Sequence, residues 1–252
     1  MLALGTMRLR TTKVFIDSRY AVMGTSGSSI LFEIPGGVEL GPNARCFVSE
    51  FTCVCAWSTL DDTNRHQTVL LGNGAIYVIA LPAGSYDLDA FADALETAMV
   101  QELGSGYKVE RTGLGSTGST QSLLRVSHPS TSFLLAESPL SKIVSFPQVS
   151  ATSHTSGFVD LRRVHNIFVH SPSFGNYNTV SPNGSRTALC KIPVEVGYSG
   201  LVRWSIGASN VEYIECGVRS LHLLRLELRD ADSNLLDLQG TAFSLTLLFS
   251  ED

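Results

Sequence analysis

The sequence predicts a mainly β fold, a sandwich or barrel of short strands that carries an α+β insertion. Three observations predict it. About twelve short runs rich in β-branched, aromatic and alternating apolar residues are separated by clusters of Gly, Pro, Asn and Ser. The turns recur roughly every 8–12 residues, the spacing of sandwiches and barrels. A single stretch shows the three-and-four apolar spacing of a long helix, and it lies mid-chain, so a regular alternation of strands and helices is excluded.

Taken in order, residues 1–10 (MLALGTMRLR) are apolar, then basic. A secretory leader has the reverse order, so this segment is expected to be an N-terminal arm. Residues 13–16 (KVFI) and 29–34 (SILFEI) are strands, and Pro35-Gly36-Gly37 is expected to end the second. Residues 46–57 alternate, which predicts Phe47, Phe51, Cys53 and Cys55 on one face and Val48, Glu50, Thr52 and Val54 on the other. Residues 75–80 (AIYVIA) form an apolar strand stopped by Pro82 and Gly84. The helix spans 87–103, with Leu88, Phe91, Ala92, Leu95, Ala98 and Met99 on one stripe, Ser85 or Asp87 as cap and Gly104 and Gly106 beyond its end. Short strands are expected at 123–126 and 133–135, and residues 145–157 read as a polar surface connection. The β pattern resumes at 164–170, 188–196, 201–206, 213–216, 220–228 and 243–249, with a turn at 230–234.

The chain has 252 residues, of which 44% are hydrophobic and 16% charged. The low charge argues against disorder, and 252 residues are enough to build a core without disulfide or metal staples. The formal charge of −5 offers no general attraction to nucleic acid or anionic membrane. No apolar run approaches the ~20 residues of a membrane span, so a soluble chain is expected. Cys46, Cys53, Cys55, Cys190 and Cys216 are odd in number and sit in apolar strands, which predicts buried, reduced thiols.

The chemistry-bearing patterns are weak. Gly113-Leu114-Gly115-Ser116-Thr117-Gly118 spells GxGxxG, but a strand follows it, so it reads as a loop. His66, His128, His154, His165, His170 and His222 form no metal motif, and His128 and His154 are expected in polar loops. No nucleophile elbow occurs. Asp61-Asp62 and Asp230/Asp232 are acidic turns, read as solvated, with weak Ca²⁺ binding as the alternative. Asn183-Gly184-Ser185 is a glycosylation sequon without secretory context. Arg162-Arg163 and Arg8/Arg10 are the local basic clusters. Trp57, Trp204, Phe168 and Phe174 are expected in the core. These patterns lead to no expected catalytic, cofactor-binding or metal-ligating residue and no enzyme activity, and no cofactor or sequence-specific nucleic-acid partner is expected.

Two stretches carry a resemblance. One is Val14-Phe15-Ile16-Asp17-Ser18-Arg19 followed by Ile30-Leu31-Phe32-Glu33-Ile34-Pro35. The other contains Leu189-Cys190-Lys191-Ile192-Pro193-Val194, then residues 226–238 (LELRDADSNLLDL), and ends at 243–249. Together they resemble the small jelly-roll capsid proteins of virophages and Polinton-like viruses, the penton or minor capsid proteins of the adenovirus-type lineage. The resemblance covers roughly the first 60 and last 90 residues. It implies an antiparallel jelly-roll β-sandwich built from 11–80 and 159–252, with an inserted α+β element at 81–158. It implies a virion protein, made inside the host cell, that forms a ring by lateral contacts with itself, a pentamer first, and with a major capsid protein. A β-sandwich module that binds carbohydrate or a host receptor is the alternative. Asp17 and Arg19 are expected on one strand face as structural or inter-subunit ion-pair partners.

Overall fold

The computed structural model describes residues 10–112, 123–174, 179–207 and 213–251. The expected arm, apart from Arg10 at the start of the first strand, and the GxGxxG loop at 113–118 lie outside the described residues. The strands are β1 (Arg10–Asp17), β2 (Met23–Ser26), β3 (Ser29–Glu39), β4 (Arg45–Val54), β5 (His66–Leu71) and β6 (Ile76–Ala80). After helix α1 (Leu88–Leu103) come β7 (Lys108–Thr112), β8 (Leu123–Ser127), β9 (Phe133–Ala136) and β10 (Ser153–Thr155). The chain continues through β11 (Asn166–His170), β12 (Ala188–Pro193), β13 (Leu201–Ser205), β14 (Ile214–Glu215), β15 (Ser220–Arg229) and β16 (Phe243–Glu251).

The chain divides into two units, 1–57 with 164–252, and 58–163. The discontinuous unit has two five-stranded antiparallel sheets. One runs β1-β16-β4-β13, with β14 also on β4, and the other β12-β11-β15-β3-β2. The pairs β1–β16, β3–β15, β4–β13 and β11–β12 nest inside one another along the chain. The first strand pairs with the last and the middle two with each other, as in a long hairpin rolled into two sheets. That nesting makes the sandwich a jelly roll. Its core takes alternate residues from both sheets, among them Ile16, Phe51, Val202, Phe243 and Phe249 from the first and Phe32, Ile167, Leu224, Leu226 and Leu228 from the second. Each such buried side chain contributes about 1.5–3 kcal/mol.

Two irregularities change the expected alternation. Glu50 pairs with Thr246 but Val48 pairs with Leu247, so Ser49 is an extra residue in β4. This β-bulge shifts the pleat by one residue. Val48 therefore turns into the sandwich core at 1% exposure, while Phe47 turns to the opposite face, where it stays buried and its ring meets Tyr213 edge-on at 5.3 Å. Likewise, Pro35-Gly36-Gly37 does not end β3. Leu221 pairs with Val38 and Leu223 with Glu33, so the triplet lies in a second bulge inside one long strand. Gly36 and Gly37 supply φ of 76° and 68° there, and the His222 ring would lie 2.4 Å from a Cβ at Gly37.

The inserted unit starts earlier than the sequence indicated, at 58 instead of 81, and ends at 163. Strands β5 and β6 belong to it because β5 pairs with both β6 and β9. Val69, Ile79 and Leu81 bury in its own core with Phe91, Leu95, Met99 and Phe133. It holds two three-stranded sheets, β6-β5-β9 and β10-β8-β7, and α1. Asp87 caps α1 by accepting the Ala90 amide at 2.8 Å, and the expected apolar stripe is buried from Phe91 to Met99, with Leu88 partly buried against it.

Candidate assembly surface

Four exposed apolar residues of the jelly roll lie close together along the chain where β1 passes to β2. Alternation along β1 buries Val14 and Ile16 and turns Phe15 outward, 71% exposed. A 3₁₀ turn, Ser18–Tyr20, follows and leaves Tyr20 74% exposed, and Val22 and Met23 are exposed beyond it. Phe15 and Tyr20 border a cleft of about 520 Å³ that Asp17, Glu50, Thr52, Ser244 and Thr246 also line. Met23 borders a second hollow of about 270 Å³ with Leu31 and Arg225. Grouped apolar exposure of this kind marks protein contact surfaces or ligand-binding grooves.

The Ile-Asp-Ser-Arg segment builds the corner of this surface. Ile16 anchors it in the core. The Asp17 carboxylate accepts the Arg19 backbone amide at 3.0 Å and the Arg19 Nε at 3.0 Å. These hydrogen bonds from the guanidinium hold its carboxyl below the usual carboxylate range. Ser18 Oγ accepts the Phe243 amide at 3.0 Å, which ties the corner to β16. Arg19 therefore lies in the 3₁₀ turn and not on the strand face expected for it. The pairing is within the chain, because the turn folds the guanidinium back over the carboxylate two residues away.

The second stretch that carried the resemblance is also loop architecture. Asp230 accepts the Asn234 amide at 2.8 Å, and its own amide donates to the Asn234 carbonyl at 3.0 Å. Arg229 bonds the Ser233 carbonyl at 2.5 Å and the Glu227 carboxylate at 2.7 Å. Leu236 and Leu238 then return to the core.

The remaining singled-out residues are dispersed. Asp61 pairs with Arg163, Asp62 with Arg65 at 2.9 Å, and Asp160 with Arg162 at 2.9 Å, so Asp61, Asp62, Arg162 and Arg163 each have an ion-pair partner. No group of three metal-ligating side chains occurs among the described residues. Cys46, Cys53, Cys55 and Cys216 are buried, Cys190 is partly buried, and all five are free thiols. Burial, with the nearby Cys55, pushes the Cys53 thiol up to about 12. Trp57, Phe168 and Phe174 are buried and Trp204 packs against the core. Asn183 accepts from Ser181 and from the Ser185 amide within a turn. His154 was misplaced by the sequence reading. It sits on β10 at 2% exposure, 4.7 Å from the Phe133 ring, with Nε2 2.8 Å from the Phe133 carbonyl oxygen. A three-residue Ser-His-Thr strand has no apolar pattern by which to be recognised. The cluster Phe15, Tyr20, Val22 and Met23 was missed as a surface, since an exposed apolar residue on a strand has the same letter as a buried one. No helix among the described residues is long and apolar enough to cross a membrane.

No protein-family model matches the chain, and no curated protein matches its sequence. Among solved structures, the mavirus penton protein superposes on 96% of this chain and 100% of its own length, with a TM-score of 0.57 and 10% identity. The chain has the mavirus penton fold. At 10% identity the two share an architecture carried by alternating burial and nested strand pairing more than by particular residues. The penton fold accounts for both parts of this chain, since the superposition spans nearly all of it.

Proposed function

We propose that this protein is a structural capsid subunit of the virion that occupies the vertex as a ring, with the pentamer as the working oligomer. The observation that carries the reading is the penton fold over 96% of the chain. The grouped exposure of Phe15, Tyr20, Val22 and Met23 beside two hollows supports a contact function for that edge. A ring needs a head-to-tail contact whose rotation closes, and five copies at an icosahedral vertex meet that condition. In this reading the jelly roll makes the lateral contacts with its own copies and with the major capsid protein. The subunit works without catalysis, through shape and burial.

Native mass spectrometry of the purified chain tests the proposal. A discrete species of five chains is expected. A trimer would move the protein to another capsid position, and a monomer at every concentration would overturn the ring and favour a monomeric binding module, for which glycan arrays are the next measurement.

A further inference from the structure

Natural sheets protect their edges with charge, proline, bulges, brevity or a covering group. Most edge strands among the described residues follow that rule. β1, β7 and β13 carry Lys13, Lys108 and Arg203, β12 carries Lys191 and Pro193, and β2, β10 and β14 have four residues or fewer. β9 is short and apolar, but its edge is closed. Phe133 exchanges backbone hydrogen bonds with Ala151 at 2.9 and 3.0 Å. The Gln148 amide donates to the Leu135 carbonyl at 2.9 Å and accepts the Glu137 amide at 3.2 Å.

β6 is the exception. Its sequence, Ile-Tyr-Val-Ile-Ala, has no charge, proline or glycine. It pairs with β5 on one side only. Leu71 donates to Ala75 and Leu81 donates to Arg65, with Val69 opposite Tyr77 and Gln67 opposite Ile79 between them. In an antiparallel ladder the backbone groups alternate in direction. Residues 75, 77, 79 and 81 therefore turn theirs toward β5, and Ile76, Val78 and Ala80 turn theirs to the open edge. No described residue takes up those amides and carbonyls. The same three residues present their side chains to solvent, Ile76 at 66% and Val78 at 59% exposure. The register extends the stripe across the sheet: Ile76 lies opposite Leu70, itself opposite Leu134, and Val78 lies opposite Thr68, itself opposite Ala136.

We propose that β6 is a strand-addition site that accepts an extended, uncharged segment of another protein, with β-branched or other apolar side chains at alternate positions. The open backbone groups supply the hydrogen bonds, and the stripe through Ile76 and Val78 supplies the side-chain contact. The edge carries no charge to recognise a charged partner. A second copy is the other occupant with a matching edge, but β6 against β6 is an isologous contact, which cannot join all the neighbours of a five-membered ring. That step rests on the ring proposed above; the open edge does not.

The test uses the full chain and a labelled peptide, acetyl-Thr-Ile-Thr-Val-Thr-Ile-Thr-amide, with the same peptide bearing proline at its centre as control. Fluorescence anisotropy is expected to show saturable binding of the first and none of the second. Hydrogen exchange at the Ile76, Val78 and Ala80 amides is expected to slow at least tenfold on binding. Val78→Lys, at an exposed position, is expected to weaken binding at least tenfold while its melting curve stays unchanged. Equal binding of both peptides, or binding without protection of those amides, would overturn the site, as would no binding at all. A dimer in the absence of peptide that Val78→Lys abolishes would overturn the foreign partner in favour of a second copy. Native mass without peptide reads the ring separately, so failure of one proposal does not disguise failure of the other.

Discussion

Replacing Phe15 with serine separates assembly from folding. The ring is 71% exposed on β1, between the inward Val14 and Ile16, so its removal opens no cavity in the core. Substitutions at such positions stay within about 0.5 kcal/mol of the parent in folding stability. For a chain of this size that corresponds to a shift of ~1–2 °C in the melting midpoint. In an assembled ring the same side chain is expected to be covered by the next copy. Full burial of a Phe is worth about 1.5–3 kcal/mol, and ~2 kcal/mol corresponds to roughly a thirtyfold change in each contact's dissociation constant. The effect enters at every contact of the ring. The assay is native mass or light scattering across a dilution series, alongside thermal unfolding of the same samples. The expected result is a melting curve close to the parent and a five-membered ring that dissociates at roughly seventyfold higher concentration, because five weakened contacts act over four association steps. An unchanged ring would refute the assignment of this edge. A large loss of thermal stability with proportionate loss of assembly would show that Phe15 belongs to the fold and not to the surface.

Three further outcomes follow from the packing. Arg19→Ala removes the fork to Asp17 but leaves the backbone cap, so assembly is expected to weaken more than folding in the same two measurements; equal losses would refute it. His170 is 2% exposed with Nε2 unpaired among the described residues, and burial together with Arg229 holds its pKa below the ordinary 6.5 against the opposing Glu227. The unfolded chain then binds the proton more readily, so stability is expected to be full above about pH 6.5 and to fall as the pH drops below it. His170→Gln should flatten that part of a urea-denaturation pH profile, and an unchanged slope would refute the assignment. Phe133 is fully buried against Tyr107 and His154 in the core of the inserted unit, so Phe133→Ala is expected to cost about 3–5 kcal/mol. Hydrogen exchange should quicken across 58–163 and stay unchanged in β15, whose side chains pack in the other core.

The periodic parts of this protein were legible without its structure. α1 followed from the spacing of Phe91, Leu95 and Met99 and from the capping residues Ser85 and Asp87 before it, of which Asp87 makes the cap, because helix capping and amphipathic burial are local properties of neighbouring residues. The β character of the two ends followed from alternation, and the jelly-roll expectation from the short segments around Asp17 and Asp230. Those segments proved to be corner- and loop-building devices whose hydrogen bonds join residues two to four apart, so a sequence can display them. What the sequence left open depends on partners far along the chain. The bulge at Ser49 exists because β4 must match β16 nearly two hundred residues later, and it decides whether Phe47 or Val48 faces the core. Strands β5 and β6 belong to the inserted unit because β5 pairs with β9, a choice that their composition does not reveal. The open edge at Ile76, Val78 and Ala80 has the same cause: an apolar strand reads alike in the middle of a sheet and at its rim. Local preference and periodicity are written in neighbouring residues, whereas pairing, register and exposure are set by which distant strands meet.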